Sequence, residues 1–342
     1  MTSEESNYEL PSLWRTVKPA VPGPGHGGAK VGGGMTMMKV ALTGASGFIG
    51  RHVLAELARQ PVAVTAVTRN AAKLADVARN VRVVEMDLTS PHADDYERIH
   101  RPDVLIHLAW DGLPNYNSLH HFETELPRQH LFLKGLVEAG LPALLVTGTC
   151  FEYGMQSGAL SEELMPLPNN PYSYAKDALR RQLEFLRGKY FFALVWARLF
   201  YMHGEGQAEN SLWSQLKRAV ERGDKVFNMS GGEQLRDYSP VSKVAAALVA
   251  LALRQADIGV VNICSGTPVS VRTLVESWLR ENGWKIELNL GHYAYPDYEP
   301  MAFWGDPQKL KNILCKKGFE QNSETTQIRV DSRRKGESNE KH

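Results

Sequence analysis

Between residues 38 and 315, short apolar runs alternate with stretches whose apolar positions recur every third or fourth residue. KVALTG (39–44) reads as a strand, and a helix follows from about Phe48 to Arg59. VAVTAVT (62–68), VRVVEMDL (81–88), DVLIHLA (103–109) and PALLVTGT (142–149) read as the next four strands. FFALVWARL (191–199) and GVVNIC (259–264) complete the series. These runs are apolar throughout instead of alternating with polar residues, as expected when helices cover both faces of a parallel sheet. Repetition of strand, helix and strand requires right-handed crossovers. The prediction is a doubly wound α/β protein, a Rossmann-like parallel sheet with a smaller C-terminal lobe. Val244 to Leu253 is the longest unbroken apolar run. A membrane span needs about 20 residues, so it is read as a buried helix.

The ends of the chain differ in character. Residues 19–34 are dominated by Gly and Pro and cannot bury a core, so 1–37 is expected to be a flexible lead-in. Residues 316–342 are rich in charge and hold three large apolar side chains, Phe319, Ile328 and Val330; a disordered tail is expected there. The body divides into a cofactor domain over 38–200, completed by 235–264, and a substrate lobe from 201–232 and 265–315. A net charge of +1 argues against a nucleic-acid binder that relies on positive charge. The first twenty residues hold Glu4, Glu5 and Glu9 and no apolar stretch, so no secretory signal is read. Cys150, Cys264 and Cys315 are odd in number and far apart, which fits a reducing cytoplasm and neither a disulfide framework nor a zinc site. The histidines, His120 and His121 included, show no metal-ligand spacing, and His107 reads as a core residue in an apolar strand.

TGASGFIG (43–50) lies between the first strand and its helix. Gly44 would allow the tight turn, Gly47 the close approach of a pyrophosphate, and Gly50 the packing of helix on strand. The helix start offers free N–H groups and partial positive charge to phosphates. The end of the second strand reads Thr68-Arg69-Asn70, where an acid would hold the ribose hydroxyls of NAD. Arg69 suits the 2′-phosphate of NADP, so NADP(H) is expected to be preferred and NAD to be possible; a solvated arginine is the alternative. Asp87 either accepts from the adenine amino group or caps the turn that follows it.

Asn169-Asn170-Pro171 reads as a helix start, with the helix running to about Arg187. Tyr172 and Lys176 are four apart on one face, so the ammonium is expected to lower the phenol pKa and make it an acid/base near neutrality. Tyr174, two residues from Lys176, points away. Thr149 ends the fifth strand, at the carboxyl edge where open α/β sheets bind ligands. Cys150 beside it reads as a small buried thiol.

In this order, these segments resemble the extended short-chain dehydrogenase/reductase family of NAD(P)-dependent nucleotide-sugar epimerases, dehydratases and reductases. TGASGFIG, Asp87-Leu88, HLAW (107–110), TCFEYG (149–154) and YSYAK (172–176) carry the likeness over about residues 38–315. It implies a catalytic Thr149–Tyr172–Lys176 triad. It also implies a cofactor site of Gly44, Ser46, Gly47, Phe48, Ile49, Gly50, Arg69, Asp87, Leu88, Leu108 and Ala109, joined by Tyr172 and Lys176. WARLFYMHGEG (196–206) places Tyr201 where an Asn is usual among the substrate contacts. GGEQLRDYSPV (231–241) places Arg236 where an arginine holds the substrate diphosphate; a structural ion pair with Asp237 or another acid is the alternative. Lys243 stands where an acid is usual, and NICSG (262–266) is similar to the last core strand. The resemblance implies a cytoplasmic NADPH-dependent reductase of a nucleotide-linked, dTDP-type 4-keto-6-deoxyhexose, supplying surface polysaccharide, with a homodimer allowed. A 4-epimerase with tightly bound NAD is the runner-up. A non-catalytic NADP-binding regulator is the third reading, and the Tyr/Lys pair argues against it.

Overall fold

The computed structural model describes residues 37–77 and 81–315; the expectations for 1–36 and 316–342 lie outside the described residues. Seven strands form one parallel sheet: β1 (Lys39–Thr43), β2 (Ala63–Thr68), β3 (Val81–Glu85), β4 (Val104–His107), β5 (Ala143–Thr149), β6 (Ala193–Leu199) and β7 (Gly259–Ile263). Their spatial order is β7-β6-β5-β4-β1-β2-β3. The order reverses between β1 and β4, where Val40 faces Val64 on one side and Val104 on the other.

Alternate residues of each strand serve different cores. Val40, Leu42, Val104, Ile106, Leu145, Val195 and Ala197 face one cluster, shared with α1 (Phe48–Leu57) and a helix at Val241–Ala252. Ala41, Leu105, Leu144, Val146, Leu194 and Trp196 face the other, shared with α2 (Leu126–Glu138) and α3 (Pro171–Arg187). Period-two geometry sends neighbouring side chains to opposite faces, so a sheet covered on both sides needs unbroken apolar strands. Val244 to Ala252 pack into the first cluster, and among the described residues no helix is long and apolar enough to cross a membrane.

Beyond β6, the chain builds a separate apolar cluster from Leu216, Phe227, Met229, Leu274, Val275 and Trp278. Val226–Asn228 pairs with Glu287–Asn289 beside it, and Leu235–Arg236 pairs with Val269–Ser270. A fourth cluster, including Cys150, Phe151, Tyr172, Phe200 and Phe303, sits at the carboxyl end of β5.

Candidate active site

The glycine loop is shaped by three contacts. Gly44 has φ +69°, and a Cβ there would stand 2.9 Å from the Ala109 nitrogen. A Cβ on Gly50 would lie 2.1 Å from the Gly44 carbonyl oxygen, so no side chain fits where α1 leaves the strand. The Gly47 N–H donates to the Gly44 carbonyl at 3.0 Å. Gly47 caps α1 without a side-chain acceptor, and the first turn carries no acid. The helix start therefore keeps its donors for a ligand. Gly44, Gly47, Phe48, Ile49, Gly50 and Leu108 line a cleft of about 720 Å³. Ser46 is tied back to Thr68, hydroxyl to hydroxyl, at 3.0 Å. This cradle fits a dinucleotide pyrophosphate.

Arg69 is not among the residues lining this cleft; its side chain is 67% exposed, with its guanidinium 3.8 Å from the Asp111 carboxylate. Asp87 accepts from the Thr89 N–H at 3.0 Å, so one of its oxygens caps the turn, which is the second of its two expected roles. That bond, more than the distant Arg69 charge, holds its carboxyl below the usual range.

Asn170 starts α3: its side-chain oxygen accepts from the Ser173 N–H at 2.9 Å, and Pro171 takes the first turn. This brings Tyr172 beside Thr149, whose hydroxyl is near enough to draw the phenol pKa down. The Thr149 hydroxyl also accepts from the Phe151 N–H at 3.3 Å. Tyr174 is 55% exposed and packs by its edge near Phe122, turned away from this pair.

The electrostatics correct the expected role of Lys176. Burial pushes the Tyr172 phenol above its ordinary value, and the nearby Thr149 hydroxyl opposes it. The ammonium lies 5.9 Å from the Tyr172 ring centroid and makes no hydrogen bond to its hydroxyl. It donates to the Thr147 carbonyl at 2.9 Å and lies 4.0 Å from the Trp110 ring centroid. Burial lowers Lys176 to about 7, while Glu152 and Glu125 favour its charged form. Sharing a helix face set the two side chains close, but the lysine is long enough to reach past the ring toward β5.

Behind the pair stand residues that pattern reasoning did not single out. Glu152, fully buried, accepts from the Thr149 N–H at 2.9 Å, from the Trp196 indole at 3.0 Å and from Arg198 at 2.7 Å. A Cβ on Gly148 would come within 2.4 Å of Glu152 and 2.2 Å of Trp196. The Trp110 indole donates to His121 at 3.1 Å, and His121 stacks on it. Tyr116 packs against both Tyr172 and Phe151. The advance signal for these residues was that Trp110, Glu152, Trp196 and Arg198 fall inside quoted motifs, while His121 was weighed only as a metal ligand.

Arg236 is buried and already paired. It bonds Glu299 at 3.0 Å, donates to the Leu235 and Met301 carbonyls, and covers the Phe303 ring. The ion pair that was the alternative reading of Arg236 is present, with Glu299 as the acid. Asp237 is committed elsewhere, accepting from Ser265 and Gly266. The Tyr201 phenol donates to the same Glu299. Cys150 is a buried thiol pushed up by burial, and His107 is a core residue bonded to Thr43 at 2.8 Å.

The description "NAD dependent epimerase/dehydratase family" matches residues 40–264, more than half of the chain. This chain belongs to that family. Among relatives, the dTDP-6-deoxy-L-talose 4-dehydrogenase (NAD(+)) of Aggregatibacter actinomycetemcomitans is 27% identical, covering 78% of this chain and 99% of the relative. The GDP-6-deoxy-D-talose 4-dehydrogenase of the same organism is 26% identical, over 81% of this chain and 91% of its own. Among solved structures, MoeE5 in complex with UDP-glucose and NAD is 30% identical with a TM-score of 0.69, over 81% of this chain and 92% of that one. Membership accounts for the Rossmann-like sheet and for the glycine loop at its first crossover.

Proposed function

We propose that this protein is a nucleotide-sugar oxidoreductase that reduces the C4 ketone of a nucleotide-linked 6-deoxyhexose with NAD(H), or runs the same step in reverse. The observation that carries the proposal is buried Tyr172 beside Thr149, packed against Tyr116, which lines the same cleft as the glycine loop. Support comes from two relatives, each matched over nearly its whole length and each named as a 4-dehydrogenase of a 6-deoxytalose. Seen from the product side, a 4-dehydrogenase is a 4-ketone reductase. The product would be a deoxyhexose donor for surface polysaccharide. The 212–229 and 269–290 segments, which share their own apolar cluster, are proposed as the substrate lobe.

Gly44, Gly47 and the start of α1 would hold the pyrophosphate, and Lys176 the nicotinamide ribose. The bound nicotinamide supplies or takes the hydride. Tyr172, kept neutral by burial, is a proton donor to the oxygen that forms at C4. Thr149 holds that oxygen and the phenol in one line of hydrogen bonds. Around them, Tyr116 and Phe151 close off water on the aromatic side.

For the cofactor, NAD(H) is favoured because Asp111 already faces the Arg69 guanidinium and would also face a 2′-phosphate. Arg69 itself is the reason to keep NADP(H) as a second reading. A 4-epimerase is the other second reading, since the same Tyr172–Thr149 pair serves both and the family description names epimerases. Incubation with dTDP- and GDP-linked 4-keto-6-deoxyhexoses, with NADH or NADPH, tests the proposal. Nicotinamide oxidation matched by a reduced sugar in the product NMR supports it. Interconversion of C4 epimers without net nicotinamide turnover supports the epimerase instead.

A further inference from the structure

Asn170 does two things at the mouth of the site, and only one concerns the helix. Its side-chain oxygen caps α3 by accepting from the Ser173 N–H at 2.9 Å. The amide is planar, so turning the oxygen to the helix turns the nitrogen the other way. That nitrogen is buried and makes no hydrogen bond among the described residues, and the whole residue is 6% exposed. A buried donor left unmatched is costly. Asn170 also lines the cleft, together with Asn115, Tyr116, Asn117 and Tyr298.

The neighbours fix which part of a ligand lies there. Asn170 stands two residues before Tyr172, whose N–H donates to the Tyr116 carbonyl at 3.1 Å. Next to it, the Asn169 amide donates to the Tyr298 carbonyl at 3.1 Å. Asn170 is thus at the proton-donor end of the cleft, with the glycine loop at the other. Lys176, on α3 itself, donates to the Thr147 carbonyl, and Glu125 accepts from Asp111 and Gln129, so neither bonds the Asn170 amide nitrogen.

We propose that the Asn170 amide nitrogen donates a hydrogen bond to an oxygen of the bound sugar, which makes Asn170 a substrate-binding residue in addition to a helix cap. This rests on the nucleotide-sugar reading above. The acceptor is a hydroxyl or ketone oxygen of the hexose next to the reacting carbon. A nucleotide sugar supplies such oxygens, and a bare nucleoside diphosphate does not.

The cap and the donor can be separated, because Asp and Ser cap helices about as well as Asn. Asn170→Ser and Asn170→Asp keep an oxygen for the Ser173 N–H and remove the amide donor. Three quantities are measured on the NADH-loaded full chain: melting temperature, NADH affinity, and calorimetric affinity for a dTDP-linked 6-deoxyhexose and for dTDP alone. Both variants should melt within a few degrees of the parent and bind NADH and dTDP unchanged. Affinity for the sugar nucleotide should fall roughly tenfold in both, the loss of about one hydrogen bond. Unchanged sugar-nucleotide affinity in Asn170→Ser, with the parent binding well, overturns the assignment and leaves the proposed function standing. Equal losses for dTDP and its sugar conjugate also overturn it, since the contact would then not be to the sugar. A parent that binds NADH but no nucleotide sugar overturns the proposed function, and this assignment with it.

Discussion

Tyr172 carries the chemistry most directly, and removing one oxygen atom tests it. Tyr172→Phe keeps the ring against Tyr116 and Trp110 and loses the proton donor. General acids of this kind contribute about 10²- to 10⁴-fold, so kcat should fall by that much while NADH still binds. Tyr174→Phe, at an exposed ring, should keep most of the activity; the reverse pattern would place the proton donor elsewhere. Arg69 and Asp111 form the second test at this scale. Competition binding should show NADH held at least as tightly as NADPH in the parent. Asp111→Asn removes the carboxylate beside Arg69 and should shift the ratio several-fold toward NADPH. Arg69→Ala should cancel that shift, and a strong NADPH preference in the parent would refute the pairing argument.

Elements impose stricter demands than single contacts, because they bring backbones together. At Gly50 the obstacle is backbone, the Gly44 carbonyl 2.1 Å from an added Cβ, and it cannot rotate away. Gly50→Ala should destabilise by about 2 kcal/mol or more in denaturant titration. Gly135, in the last turn of α2, has nothing within 4 Å of its added Cβ. Gly135→Ala should be neutral or stabilise by up to about 1 kcal/mol, and similar losses at both sites would refute the packing explanation. The end of β5 is held differently, by the Glu152 carboxylate that collects Thr149, Trp196 and Arg198. Removing one member of a buried ion pair strands the other. Glu152→Gln should therefore cost about 3 kcal/mol and lower kcat through a displaced Thr149. A Gln variant as stable as the parent would mean that Arg198 finds another partner.

For the whole molecule, Lys176 sets a dependence of stability on pH. Its value is about 7 in the folded protein against an ordinary 10.5, because burial disfavours the ammonium. Between these values the unfolded chain binds more protons than the folded one. Stability gains from this group as pH rises through that window, and the cost is fully present below about pH 7. Lys176→Met should accordingly raise the melting temperature of the cofactor-free protein at pH 6. The gain should fade as pH climbs toward 10.5. A constant difference across the range would show that packing, and not charge burial, accounts for it.

The strand runs were legible because a two-faced sheet leaves few polar positions. All seven central strands and the two helices around the glycine loop and Tyr172 follow from period and capping alone. The glycine spacing, Thr149 at a strand end and the Tyr172–Lys176 spacing are local facts, and local geometry preserved them. Tertiary structure decided what no local rule contains. The lysine tip settled on Thr147 and Trp110, which belong to other elements, so spacing on α3 did not predict its effect on Tyr172. Arg236 found Glu299, far along the chain in a stretch without regular pattern. Asn170 read as a cap in one dimension and turned out to hold an unmatched donor, because the cleft beside it is made by residues from several parts of the chain. Charges and donors are matched by whatever folding brings within about 3 Å, and that distance is set by the packed whole.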